Sequence, residues 1–143
     1  MSGKAAPNLQ YAALPYRRRT DGAIEVMLIT SLNTKRWIIP KGWPVQGLAP
    51  HDCAAREAME ESGLVGRISD RSIGFYGYEK RLADGSAVRC TVETFLLEVE
   101  EQLTSWPERG RRQTQWYALQ AAADAIEEPE LSAMIQSLAA LLA

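Results

Sequence analysis

Several features are scarce in this sequence, and each scarcity removes a class of protein. Cysteine occurs only at Cys53 and Cys90, with no CxxC spacing. That argues against a disulfide framework and for free thiols in a reducing compartment. No apolar run approaches a membrane span, and the opening MSGKAAPNLQ lacks the apolar centre of a secretory leader. A cytoplasmic protein with no membrane partner is therefore expected. Charge of one sign is also missing: 16 Lys and Arg stand against 18 Asp and Glu, for a net charge of −2. Such a balance provides no basic coat for a stable nucleic-acid complex. No repeat, low-complexity tract or linker divides the chain. Its 143 residues therefore read as one domain, 1–143, long enough to bury a core. Residues 1 to about 8 are small and polar and read as a loose tail.

What is present alternates between strand-like and helix-like segments. Tyr11 to Arg19 reads as a strand, and Asp21-Gly22 signals a hairpin into Ile24 to Thr30. Arg17, Arg18 and Arg19 suggest an anion site at first sight. They flank the turn and alternate across the strand, which suits a solvated hairpin end better. Ser31 to Lys35 is a polar turn, and Trp37-Ile38-Ile39 is a short apolar strand leading to Pro40-Lys41-Gly42. Pro50 suits a first helical turn, Asp52 favours the same end, and Gly63 fits a left-handed cap, giving a helix from Pro50 to Ser62. Ala54, Ala55, Ala58 and Met59 give it a slim face for close packing on a sheet. Ile68 to Leu82 and Ala87 to Val99 flank a second hairpin signal, Asp84-Gly85. Gln113 to Tyr117 is a further strand, and Leu119 to Ile126 is alanine-rich and helical. Leu131, Met134, Ile135, Leu138, Leu141 and Leu142 then follow the helical period as a stripe that packs into the core. Such an order makes an α+β domain.

The helix Pro50 to Ser62 carries the chemistry. At about 100° per residue, Glu57, Glu60 and Glu61 fall on one face. Like charges so spaced cost a few tenths of a kcal/mol per pair, so stability alone does not call for them. A solvated acidic face would explain the pattern blandly, whereas an oxygen-rich face suits a hard divalent cation such as Mg²⁺ or Mn²⁺. Arg56, four residues before Glu60, can hold that carboxylate by a charge-assisted hydrogen bond.

The upstream spacing decides between the two. Gly42, then thirteen residues, then Arg56-Glu57-Ala58-Met59-Glu60-Glu61-Ser62-Gly63-Leu64 resembles the signature of the Nudix hydrolases. In that family a Gly, five residues, a Glu and seven residues precede REUxEExGU, where U is apolar. The resemblance covers 23 of the 143 residues and departs at one defining position, Leu48, where the family has its first Glu. In the family that Glu supports the loop and the box arginine, so the departure touches loop geometry more than metal binding. The resemblance implies a mixed, curved β-sheet sandwiched between helices, with the box helix and its preceding loop as the floor of the site.

It also implies roles. Glu57 and Glu61, with the backbone carbonyl of Gly42, would bind Mg²⁺ or Mn²⁺, and Glu60 would join that set or accept the proton from water, oriented by Arg56. Glu93, on a later strand, is a further candidate carboxylate or else a solvent-facing one. The implied activity is hydrolysis of a phosphoanhydride bond in a small, phosphate-rich substrate. Trp37-Ile38-Ile39-Pro40 before the box glycine and Gly110-Arg111-Arg112 before Trp116 look like the branch acting on diphosphoinositol and diadenosine polyphosphates. Dense phosphate calls for Lys41, Arg89, Arg111 and Arg112, with Ser31 and Asn33 as polar contacts. Trp43 would stack on a base or wedge against the loop. Asn8 and Gln10 stand where inositol-directed relatives carry basic residues, which weakens the inositol reading. A nucleotide-sensing module that has lost catalysis is the rival, with Leu48 as its one mark; hydrolysis of nucleoside triphosphates or nucleotide sugars is another. The protein is expected as a monomer, or as a homodimer if the C-terminal stripe is exposed.

Overall fold

The computed structural model describes residues 8–143. The tail expected over residues 1 to 8 lies outside that range but for Asn8, whose carbonyl accepts the Thr91 N–H at 3.1 Å.

Seven strands form one mixed sheet: β1 Leu9–Arg18, β2 Ile24–Thr30, β3 Trp37–Ile38, β4 Lys41–Gly42, β5 Leu64–Arg81, β6 Ala87–Gln102 and β7 Thr114–Ala118. The order runs β3-β2-β1-β6-β5, with β4 added to β1 and β7 to β2. β1 and β6 are parallel and the other pairs antiparallel.

Alternation along the strands splits the core into two faces. Ala12, Leu14, Val26 and Leu28 pack with Ala122 of α2 (Leu119–Ala125), Ile126 just after it, and Leu131 and Ile135 of α3 (Pro129–Gln136). Ala13, Met27, Ile29 and Phe95 face the other way, against Ala54 and Ala58 of α1 (Pro50–Ser62). The α+β sandwich expected from the sequence is therefore present, with α1 alone on its face. Two alanines facing the sheet let α1 sit close to β1. Among the described residues no helix is long and apolar enough to cross a membrane.

The bounds of α1 match the sequence reading. Pro50 opens it, and Gly63 closes it at φ 74°, a left-handed conformation that most side chains resist. The arginine run is a hairpin end, as expected: Arg17 pairs with Glu25 at 2.8 Å, and Arg19 lies near Asp21 and Glu25.

Three expectations need correction. β5 starts at Leu64 rather than Ile68, running directly out of the helix cap and absorbing irregularities near Val65, Ile68 and Ser72. β6 continues to Gln102 rather than stopping at Val99, because the early part of β5 pairs with it. The C-terminal stripe breaks at Ser137 into α3 and α4 (Leu138–Leu141), leaving Leu141 54% exposed while Leu131, Ile135 and Leu138 are buried.

Candidate active site

The geometry begins with a short strand. β4 pairs with β1, setting Gly42 opposite Tyr11, and the Ala13 N–H donates to Pro40 O at 3.1 Å. The sheet thereby holds Gly42 against the side of α1. A methyl group at Gly42 would lie 2.3 Å from Glu57 Oε2, so the carboxylate occupies the space a side chain would fill. Glycine is needed for that contact, not for its backbone angles. Gly42→Ala should consequently displace Glu57, the end of a flexible side chain, while costing less than about 1 kcal/mol of stability. Thermal unfolding and Mg²⁺ calorimetry on the variant would check this, with near-normal stability and at least about tenfold weaker ion binding expected.

One turn along, Glu61 is only 6% exposed. Burial pushes its carboxyl up to about 8, Arg112 opposing the rise and a hydrogen bond with Glu57 adding to it. Burial also raises Glu57, while its hydrogen bond with Glu61 offsets part of the rise. Each acid therefore holds its proton more tightly than a solvated carboxyl does. A buried carboxyl beside a half-buried one is a donor set that a divalent cation fits, since it would supply the missing positive charge. Gly42 itself lies directly against Glu57. Glu60, expected in the same set, is turned outward and accepts from Arg56 Nε at 3.1 Å. In keeping with this, no group of three or more His, Cys, Asp and Glu side chains gathers into a metal cage among the described residues.

The segment 103–113 clamps the far end of α1. Leu103 N–H donates to Gly63 O at 2.8 Å and Glu108 N–H to Glu60 O at 3.0 Å. The Trp106 ring lies directly on Gly63, where a methyl group would come within 2.3 Å of it. The same segment delivers Arg112, whose side chain is 9% exposed. Its guanidinium donates to Glu108 Oε1 at 2.9 Å and to Thr30 O at 3.1 Å, and lies 3.9 Å from Glu61 Oε2. Arg112 therefore stands within ion-pair distance of Glu61 while also lining the cleft, where a phosphate contact was expected of it.

Glu57 and Glu61 open into a cleft of about 360 Å³, where Ser31, Asn33, Lys41, Gly42, Trp43 and Arg112 also lie. Lys41 Nζ sits 4.7 Å from the centroid of the Tyr78 ring. Burial brings its pKa down to about 8, with Glu61 pulling it back up. Trp43 is 44% exposed at the cleft wall. Arg89 lines a neighbouring lobe instead, and Arg111 is exposed and outside both. Glu93, on β6, lies opposite Phe75 of β5 and Tyr11 of β1, and is not among the residues that line the cleft.

Residues to which the sequence assigned no part in the site supply the remaining walls. Gln10 is 3% exposed and accepts from Tyr78 Oη at 2.6 Å. Arg36, Lys80 and Arg81 bring positive charge to the rim. Arg36 precedes Trp37 in a polar turn and carried no signal of its own. Gln10 and Tyr78 lie 68 residues apart and meet only through the sheet.

The NUDIX domain model matches residues 9–138. The chain belongs to the Nudix family. Among curated relatives, Nudix hydrolase 12, mitochondrial, of Arabidopsis thaliana is 29% identical over 102 residues, which is 69% of this chain and 50% of that protein. Nudix hydrolase 21, chloroplastic, of the same plant is 32% identical over 133 residues, 89% of this chain and 61% of that protein. This Nudix chain thus spans about half to two-thirds the length of such relatives. A C. elegans Ap4A hydrolase solved as a binary complex superposes with a TM-score of 0.68 at 21% identity, covering 94% of this chain and 96% of that one. At that identity the likeness concerns the fold.

Leu48, in place of the box Glu, is 38% exposed. The Arg56 side chain is 52% exposed, and Glu60 is its one ion-pair partner among the described residues. Leu48→Glu would give Arg56 a second partner at a solvated position, where ion pairs contribute about 0–1 kcal/mol. Turnover in a steady-state assay should change by no more than about threefold, and a gain of several orders of magnitude would contradict a supporting role for this position.

Proposed function

We propose that this Nudix domain is a divalent-metal-dependent hydrolase of a phosphoanhydride bond in a small, phosphate-rich molecule. The observation that carries the reading is the Glu57–Glu61 pair, half-buried and buried respectively, which opens into the same cleft as Lys41, Arg36 and Arg112. Paired acids beside clustered bases suit a polyanion bridged to the protein by a cation.

Glu57, Glu61 and the Gly42 carbonyl would hold Mg²⁺ or Mn²⁺, which when bound neutralises non-bridging phosphate oxygens and lowers the pKa of water. Lys41 and Arg36 would bind the phosphate chain and hold the scissile phosphorus in line with the attacking water. That water adds to phosphorus, the bridging P–O bond breaks, and a proton is lost. Glu60 is the acceptor for it, provided its carboxylate leaves Arg56, which holds it at rest. Arg112 keeps Glu61 in place throughout.

The favoured substrates are dinucleoside polyphosphates and diphosphoinositol polyphosphates; the Ap4A hydrolase among structures of the same fold supports the first. The free, buried Cys53 and Cys90 suit a reducing compartment such as the cytoplasm. The deciding experiment is a product assay over diadenosine polyphosphates, diphosphoinositol polyphosphates, nucleoside triphosphates and nucleotide sugars, with and without Mg²⁺. Metal-dependent release of a phosphate-containing fragment from at least one class is expected. Binding without turnover across the whole panel would instead favour a nucleotide-sensing module.

A further inference from the structure

The cleft of the carboxylate pair is one end of a longer groove. A second lobe of about 530 Å³ opens beside it, and Thr34, Arg36, Tyr78, Glu79 and Arg81 line both. The two lobes differ in charge. Five basic side chains face three acidic ones in the first, whereas Arg36, Arg81 and Arg89 face Glu79, Glu127, Glu128 and Glu130 in the second.

The bases of the second lobe are also partly spent. Arg36 is ion-paired with Glu128. Arg89 lies flat on Gly77, so close that a methyl group there would meet its Nη2 at 2.5 Å. Acceptors are in surplus, and one of them is unmatched. Glu128 is 8% exposed; its Oε2 takes the Arg36 bond, while its Oε1 is buried with no hydrogen-bond partner. A buried carboxylate oxygen without a donor is costly, and a donor from a ligand would relieve that cost. A further phosphate group would meet repulsion instead.

We propose that the second lobe receives the nucleoside end of the substrate, with Glu128 as the specificity-determining residue that accepts a hydrogen bond from a ribose hydroxyl or an exocyclic amine. The proposal rests on the phosphoanhydride reading of the first lobe and selects within it. Phosphates run from Lys41 to Arg36, and beyond Arg36 the groove calls for an uncharged, donor-bearing group. A diphosphoinositol polyphosphate, with phosphates all round its ring, does not meet that requirement.

The test pairs turnover with binding. With Mg²⁺ present, the wild-type protein should cleave diadenosine tetraphosphate with a kcat/KM at least about tenfold above that for inorganic tripolyphosphate or a diphosphoinositol polyphosphate. Glu128→Gln keeps an oxygen for Arg36 and turns the unmatched acceptor into a donor. It should raise KM for the dinucleotide about tenfold and hold kcat within about twofold, while tripolyphosphate, which feels the change only through Arg36, should shift by less than about threefold. Charge reversal, Glu128→Lys, should shift preference toward the diphosphoinositol substrate. Calorimetry with AMP reads the lobe without turnover, and Glu128→Gln should weaken that binding about tenfold. Equal losses on dinucleotide and tripolyphosphate, or unchanged AMP affinity, would overturn the assignment. If the wild type cleaves no anhydride yet binds AMP through Glu128, the hydrolase reading falls and the nucleoside lobe stands.

Discussion

Glu61→Gln, and separately Glu57→Gln, should reduce metal-dependent turnover by more than about a hundredfold, since even residues that merely support a metal ligand cost tenfold to a hundredfold when lost. Gln matches Glu in shape, and neither side chain belongs to the two apolar clusters, so circular dichroism should stay unchanged. The same variants carry a second signature. Glu61 is raised from 4.5 to about 8 in the folded protein. Between those values the folded chain keeps a proton that the unfolded chain has released, so stability falls as pH rises through that window. Metal-free wild type should therefore unfold at lower temperature near pH 8 than near pH 5, by a difference on the order of 3 kcal/mol. Glu61→Gln has no such proton to lose and should flatten the profile, with the raised Glu57 leaving a residual slope. Added Mg²⁺ should restore wild-type stability at high pH and leave Glu61→Gln unmoved. Full activity in either purified variant, or a flat wild-type profile, would remove the carboxylate pair from the centre of the mechanism.

The parts of this site that the sequence made legible are those encoded locally. α1 is bounded by Pro50 and Gly63, whose backbone preferences act without help from the rest of the chain, and both ends were read correctly. The box spacing likewise pointed to Gly42, Glu57 and Glu61, because the loop is short and β4 holds its start. The turns at Asp21 and Asp84 are similar cases: each carboxylate accepts from the backbone two residues on, and no distant contact is needed. What escaped notice depends on the fold. The Arg36–Glu128 pair joins residues 92 apart, and the orphan oxygen of Glu128 exists only because that pair is buried. Arg111 and Arg112 look alike in sequence, yet one is exposed and the other is sealed against Glu108 and Thr30. A pattern of basic residues could not tell them apart. The start of β5 was missed for a related reason: Leu64 to Arg67 contains a glycine and little alternation, and it becomes a strand by pairing with the far end of β6.

Arg112 gives the other large effect. Arg112→Met keeps roughly the bulk but strands Glu108 Oε1 and the Thr30 carbonyl, both bonded to the guanidinium in the wild type. Hydrogen bonds to charged groups contribute about 1.5–3 kcal/mol, and breaking a buried ion pair costs about 3–5 kcal/mol. Glu108 retains partial solvent access and Glu61 can protonate, so the lower part of that range applies, about 3 kcal/mol in denaturant unfolding. Arg112→Lys should recover only part of this loss, because one ammonium cannot span three partners held by a planar fork. Catalysis should suffer in a way that a purely structural residue would not produce. Arg112 opposes the rise in the Glu61 pKa, so its loss must push that carboxyl higher still. Cation uptake has to displace the Glu61 proton, which then leaves only at higher pH. The pH at which Mg²⁺ binding is half complete should rise in Arg112→Met and lie in between for Arg112→Lys, which keeps the charge. Calorimetry across pH 6 to 9 measures that midpoint directly. A destabilised variant whose midpoint does not move would mean that Arg112 holds the segment 103–113 to the sheet and has no part in tuning Glu61.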